Sequence, residues 1–195
     1  MVSQLPDINT GTTPGYVELA AAFRNLQSAL CAAAPPVPIL RHLIREFAST
    51  AAELECYRVP EPDRPAQRRI SPEVVHPAII PYIMSRIDDS TAEAVVEFTD
   101  AHLGGNGAVH GGHIPAMFDD LLGIFVGMKA QPGSRTAYLK VNYRRITPIN
   151  RPLRVDVSID RVEGRKTFIS GRLLDDGELC AEAEALFVRL LPGQP

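Results

Sequence analysis

Residues 104–128 read GGNGAVHGGHIPAMFDDLLGIFVGM, a glycine-rich loop that runs without a break into an apolar helix. Ile114, Met117, Phe118, Leu121, Leu122 and Phe125 recur at helical spacing, so they form one wide apolar stripe able to fill the concave side of a sheet. The opposite side holds Gly112, Ala116, Asp119, Asp120, Gly123 and Gly127. Small residues there let a partner helix, backbone or ligand approach closely. Two carboxylates lie on that face with no cation nearby in sequence.

Outside the helix the period changes from 3.6 to two. Thr91 to Thr99 reads as a strand, paired with Ile83 to Ile87 across the polar Asp88-Asp89-Ser90 turn. After the helix, Thr136 to Tyr143 alternates, with Ala137, Leu139, Val141 and Tyr143 on one face and Thr136, Tyr138, Lys140 and Asn142 on the other. Leu153, Val155, Val157 and Ile159 alternate with Arg154, Asp156 and Ser158, and Thr167 to Leu174 and Leu179 to Leu190 complete the set. Glu163-Gly164 and Asp176-Gly177 offer the glycine that a tight hairpin takes at positive φ. Two strands, one helix and four strands predict an α+β fold, a long central helix wrapped by an antiparallel sheet of about six strands.

Ahead of this unit, Leu19, Phe23, Leu26 and Leu30 mark one amphipathic helix, and Leu40, Leu43, Ile44, Phe47, Ala51 and Leu54 a second, with Pro35, Pro36 and Pro38 between them. A proline- and charge-rich connector, Pro60 to Pro81, follows. The chain therefore divides into an N-terminal helical extension with its connector, residues 1–80, and an α+β domain, residues 81–195. The 195 residues are 45% hydrophobic and 22% charged, the balance of a soluble globular chain. A net charge of -3 argues against a general nucleic-acid binder, and neither N-terminal helix shows a basic recognition face. Met1 to Thr13 lacks the charged and apolar regions of a secretory signal, and Ile114 to Met128 is too short and too charged to span a bilayer. Cys31, Cys56 and Cys180 show no metal spacing and read as small buried apolar residues of a cytoplasmic protein. His42, His76 and His102 read as structural or exposed, and no metal is expected.

The loop before the helix carries the chemistry. Glycines let backbone approach a ligand, and the first helical amides lack intrahelical acceptors and sit at the positive end of the dipole. Such amides can hold a carbonyl oxygen that gains negative charge, although the same pattern fits phosphate binding or simple capping. Two turns further on, Asp119 is placed to reach the same site, and burial on a mostly apolar helix would raise its basicity.

His110-Gly111-Gly112 followed by Asp119, then the stretch Thr136 to Arg145, then Arg161-Val162-Glu163-Gly164-Arg165-Lys166, resembles the hotdog-fold thioesterase superfamily of the phenylacetate-degradation type, nearest the branch of the carboxyl-terminal modulator protein. The similarity covers roughly the last 110 residues. The resemblance implies hydrolysis of an acyl-CoA or related acyl thioester without a cofactor. Asp119 matches the general base or nucleophile, and Gly112 matches the amide that polarises the thioester carbonyl. Thr136 matches a hydroxyl residue that places the attacking water, supplied by the neighbouring subunit. His110 matches an organiser of the loop, and Gly111 belongs to the same substrate-binding turn. Arg144, Arg145, Arg165 and Lys166 are candidates to meet the phosphates of coenzyme A, and Asn106 a candidate to assist the oxyanion hole. The resemblance also implies a homodimer or higher homo-oligomer with a shared site, and no nucleic-acid or membrane partner. Asp120 and His113 receive no role. A non-catalytic acyl-CoA-binding or regulatory module is the alternative, and a hydratase of acyl thioesters a third reading with a differently spaced motif. Acyl chain length and the task of the N-terminal helices stay open at this point.

Overall fold

The structure, a computed structural model, describes residues 15–65 and 76–194. The stretch read for a secretory signal and the middle of the connector lie outside the described residues. Helices α1 (Tyr16–Ala32) and α2 (Val37–Glu55) and a 3-10 turn (Glu61–Asp63) precede strands β1 (Tyr82–Ile87) and β2 (Thr91–Glu97). A second 3-10 turn (Asp100–His102) and two short strands, β3 (Leu103–Gly105) and β4 (Ala108–Val109), lead into α3 (His113–Lys129). Strands β5 (Ser134–Tyr143), β6 (Pro152–Glu163), β7 (Lys166–Asp175) and β8 (Glu178–Arg189) close the chain. The main sheet is six-stranded with order β1-β2-β6-β7-β8-β5, and each neighbouring pair is antiparallel. The α+β arrangement of a central helix against a six-stranded sheet is thus the one its periodicities predict.

Packing explains the order. All six stripe residues of α3, and Val126 with them, are buried. Across from them lie Leu153, Val155 and Val157 of β6, Ile169 and Leu173 of β7, and Ala181, Ala183 and Ala185 of β8, all buried. Alanines and glycine on β7 and β8 leave room for the aromatic side chains of α3. A Cβ on Gly171 would stand 2.8 Å from Phe118 Cε1, so any larger residue there would push the Phe118 ring aside. The β6–β7 turn takes Gly164 at φ 57, and the β7–β8 turn takes Asp176 and Gly177 at φ 49 and 87, which matches the twist of two-residue hairpins.

Four details depart from the sequence reading. β5 is not a simple alternation: Thr136 pairs with Phe187 and Tyr138 with Leu186, so Ala137 is an extra residue and the strand bulges. The bulge puts Thr136 on the same face as Leu139, Val141 and Tyr143, the helix side, rather than opposite them. Second, residues 103–109 are not plain loop but a hairpin whose Asn106 and Gly107 take φ 51 and 72. Third, Pro36 caps α2 and Pro38 lies in its first turn, where its missing N–H costs nothing. Finally, Cys31 and Cys56 are exposed, and only Cys180 is buried as expected. The N-terminal stripes also contribute little core. α1 buries Ala20 and packs on the 3-10 turn Asp100–His102, whereas α2 buries no residue.

Candidate active site

Asp119 lies in the second turn of α3, on the small-residue face, and Thr136 precedes the β5 bulge. The Thr136 hydroxyl donates to Asp119 Oδ1 at 2.8 Å. Donor and acceptor belong to one chain, whereas the resemblance implied a hydroxyl from the neighbouring subunit. Both residues are exposed in this chain. The burial expected for Asp119 is therefore not provided by its own protomer, because the apolar stripe turns the opposite way. Its neighbour Asp120 is half-buried and accepts the Tyr82 hydroxyl of β1 at 2.8 Å, which ties α3 to the first strand.

The loop ahead of α3 is held through its own backbone. His110 N–H donates to the His102 carbonyl at 2.8 Å and Val109 N–H to the Thr147 carbonyl at 2.9 Å. Tyr143 O–H donates to the Gly111 carbonyl at 2.8 Å. Gly104 lies so close that a Cβ there would sit 2.6 Å from His110 Cα. Gly112 caps α3, and its amide donates to His110 Nδ1 at 3.1 Å. The N–H matched to carbonyl polarisation thus already has an acceptor, the ring of its own motif. Distance separates it from Asp119 as well. Seven residues of helix put about 10 Å of axial rise between them.

Histidines connect this loop to the turn on which α1 packs. His102 and His113 stack edge to face with centroids 5.0 Å apart, and His113 and His110 at 5.8 Å. His102 accepts the Thr99 amide on Nδ1 at 2.8 Å, so its role is structural, as one of the two readings had it. Burial, with the neighbouring His113 adding to it, pushes the His102 imidazole down to about 4. Burial and His110 lower His113 in the same direction. Asn106 forms the β3–β4 turn, where asparagine followed by glycine suits positive φ, a conformational reason for both residues.

The basic candidates fall into two groups that cannot meet. Arg144 bonds to Glu182, holding that carboxyl below its usual range, and Arg145 Nη1 donates to Glu178 Oε2 at 2.7 Å. Arg165 Nη1 donates to the Arg189 carbonyl at 2.8 Å, and Lys166 pairs with Val188 at the start of β7. The first group adjoins the Tyr143 end of β5, near Gly111. The second adjoins the Ser134 end, near Thr136. Nine residues of strand, about 30 Å, lie between those ends.

Asp119 and Thr136 line a cleft of about 740 Å³. One wall is α3, through Gly123, Ile124, Gly127 and Met128; Phe187 of β8 adds to it, and Glu61 and Pro62 come from the 3-10 turn after α2. Sequence reading missed Tyr82, Tyr143, Phe187, Glu61 and Pro62. The alternation of β5 was a signal for Tyr143, but no local pattern marks Glu61 or Pro62. Among the described residues no group of His, Cys, Asp and Glu is placed to hold a metal ion, and no helix is long and apolar enough to cross a membrane.

Comparison with known proteins matches residues 106–182 to the family model described as Thioesterase superfamily. The bovine acyl-coenzyme A thioesterase THEM4 is 35% identical over 88 residues, 44% of this chain and 35% of that protein. Its Xenopus laevis counterpart is 36% identical over 88 residues, 44% of this chain and 39% of that protein. The chain thus spans well under half the length of the curated relatives it matches. A solved structure described as a thioesterase superfamily protein superposes with a TM-score of 0.75 at 26% identity, covering 91% of this chain and 96% of that one.

Proposed function

We propose that this chain, whose residues 106–182 match the Thioesterase superfamily model, is a hotdog-fold thioesterase that hydrolyses an acyl-CoA or a related acyl thioester to free acid and thiol. The observation that carries the reading is the 2.8 Å hydrogen bond from Thr136 to Asp119 in the wall of an open cleft. Relatives named as acyl-CoA thioesterases support it. The reacting unit is residues 81–195, and residues 1–80 are an extension. Three free cysteines fit a reducing, cytoplasmic setting.

Thr136 fixes one carboxylate oxygen of Asp119 and leaves the other for chemistry. As a general base, Asp119 takes a proton from water while the water oxygen bonds to the thioester carbon and the carbonyl pair moves onto oxygen. Collapse of the adduct breaks the carbon–sulfur bond, and the proton on Asp119 passes to the departing thiolate. Direct attack by Asp119 would instead give an anhydride that water then opens. The developing oxyanion takes the Gly112 amide of a second copy, once the His110 ring has given it up, since about 10 Å of helical rise separates the amide of the same chain from Asp119. A dimer is consistent with β5, an edge strand whose Tyr138 and Tyr143 are exposed. In such a pair Arg144 and Arg145 accompany the Gly112 loop, while Arg165 and Lys166 stay beside Asp119, so phosphates of one coenzyme A draw on both chains.

Thiol release from a panel of acyl-CoA substrates, comparing the native protein with Asp119→Asn, tests this. The variant keeps the shape and loses the base, so at least ~100-fold loss is expected. A native protein that binds acyl-CoA but releases no thiol would make the chain a non-catalytic binding module.

A further inference from the structure

The cleft that holds the Asp119–Thr136 pair is not built from the hotdog unit alone. Glu61 and Pro62 belong to the turn Glu61–Asp63 that follows α2, some sixty residues before Asp119 in the chain, yet they line the same space as Gly123, Gly127 and Phe187. At about 740 Å³ the cleft falls within the range of ~300–1,000 Å³ that encloses small ligands. Part of its lining is apolar and can take an acyl chain, beside the polar Asp119, Asp120, Ser134, Arg135 and Thr136. Ile124, Met128, Phe187 and Pro62 present apolar groups, and a Cβ placed on Gly127 would meet nothing within 4 Å, so the glycine leaves open volume beside them. Glu61 adds a carboxylate, and among the described residues its side chain has no ion pair or hydrogen bond. Arg135, the cation of this lining, is exposed and donates to the Ser134 carbonyl at 3.5 Å.

We infer that the turn Glu61–Asp63 is a specificity-determining wall of the acyl site, and that the charge of Glu61 selects uncharged, apolar acyl groups against those ending in a carboxylate. This deepens the proposed function and rests on the Asp119 cleft receiving the acyl thioester. An acyl carboxylate in the cleft would add a fourth negative charge to those of Glu61, Asp119 and Asp120, against the single cation Arg135 of the lining. Within several ångströms, and at the effective dielectric of a protein surface, removal of one such repulsion changes an affinity by about tenfold.

The test compares native protein, Glu61→Gln and Glu61→Lys. Binding is measured by calorimetry for two non-hydrolysable probes, hexyl-CoA thioether and the matching thioether ending in a carboxylate. The native protein is expected to favour the uncharged probe. Glu61→Gln should raise the relative affinity for the charged probe about 5- to 10-fold, and Glu61→Lys should raise it further. An unchanged ratio in both variants overturns the wall assignment. The ratio is read from binding, so it decides this point whether or not thiol is released. Absence of hydrolysis in the native protein would remove the proposed reaction alone, and hydrolysis with an unmoved ratio would remove the wall alone.

Discussion

Thr136 restrains Asp119 by one hydrogen bond to a carboxylate, a bond of the stronger, charge-assisted kind. Losing it costs orientation of the base rather than its presence. Thr136→Val should therefore lower kcat by ~10-fold or more, the rate equivalent of roughly 1.5–3 kcal/mol, with KM little changed. Thr136→Ser should keep most of the rate; a serine variant as slow as the valine would show that the hydroxyl is not what matters. His102 makes a different argument. Its folded pKa of about 4 lies below the ordinary 6.5, so the folded chain binds fewer protons than the unfolded one between those values. Stability is then full above about 6.5 and declines as pH falls towards 4. Protonation on Nδ1 would also displace the Thr99 amide. Melting temperatures should fall over that interval, and less steeply in His102→Asn; parallel profiles for the two proteins would exclude His102 as the source. At this scale Asp119 and Thr136 were named as candidates through the resemblance of the motifs they lie in. Their partnership within one chain was not, because it depends on a bulge that spacing does not reveal.

The elements were more legible than their contacts. A stripe in α3 and alternation in β6, β7 and β8 follow directly from which residues the core excludes water from, so periodicity located them. The β3–β4 hairpin escaped although Asn106-Gly107 is a strong turn signal, since its strands are too short to show alternation. Helix and sheet meet most tightly where Phe118 lies over Gly171. Gly171→Ala should destabilise the protein by about 1–3 kcal/mol through overpacking, measured as a lower denaturant midpoint with an unchanged slope. Full native stability would mean that Phe118 has another rotamer to move into. α2 illustrates the converse: its apolar stripe is plain in sequence, yet it buries nothing in this chain, because amphipathicity records an available face and not what covers it.

For the whole molecule, the proposed reaction takes the Gly112 amide from one protomer and Asp119 from another. Two variants, each inactive alone, should then complement one another. Gly112→Pro removes the amide and suits the observed φ of −70. Asp119→Asn removes the base. Mixed and re-associated in equal amounts, they form heterodimers in half of all pairs, and each heterodimer keeps one intact site of two. About a quarter of native activity should return. A mixture as inactive as its components would place the complete site within one chain. The shared site was implied by the family resemblance alone, since the loop and Asp119 adjoin in sequence and no local pattern separates them.

The extra residue at Ala137 bears on descent as well as shape. A deletion inside a strand normally turns every later side chain to the wrong face, and selection removes it. Here the ladder already pairs Thr136 and Tyr138 with consecutive partners, Phe187 and Leu186, so a lineage lacking Ala137 would keep both on their present faces. Kinship across this strand is therefore to be judged by ladder partner, with a gap admitted at Ala137, and not by counting residues from the histidine.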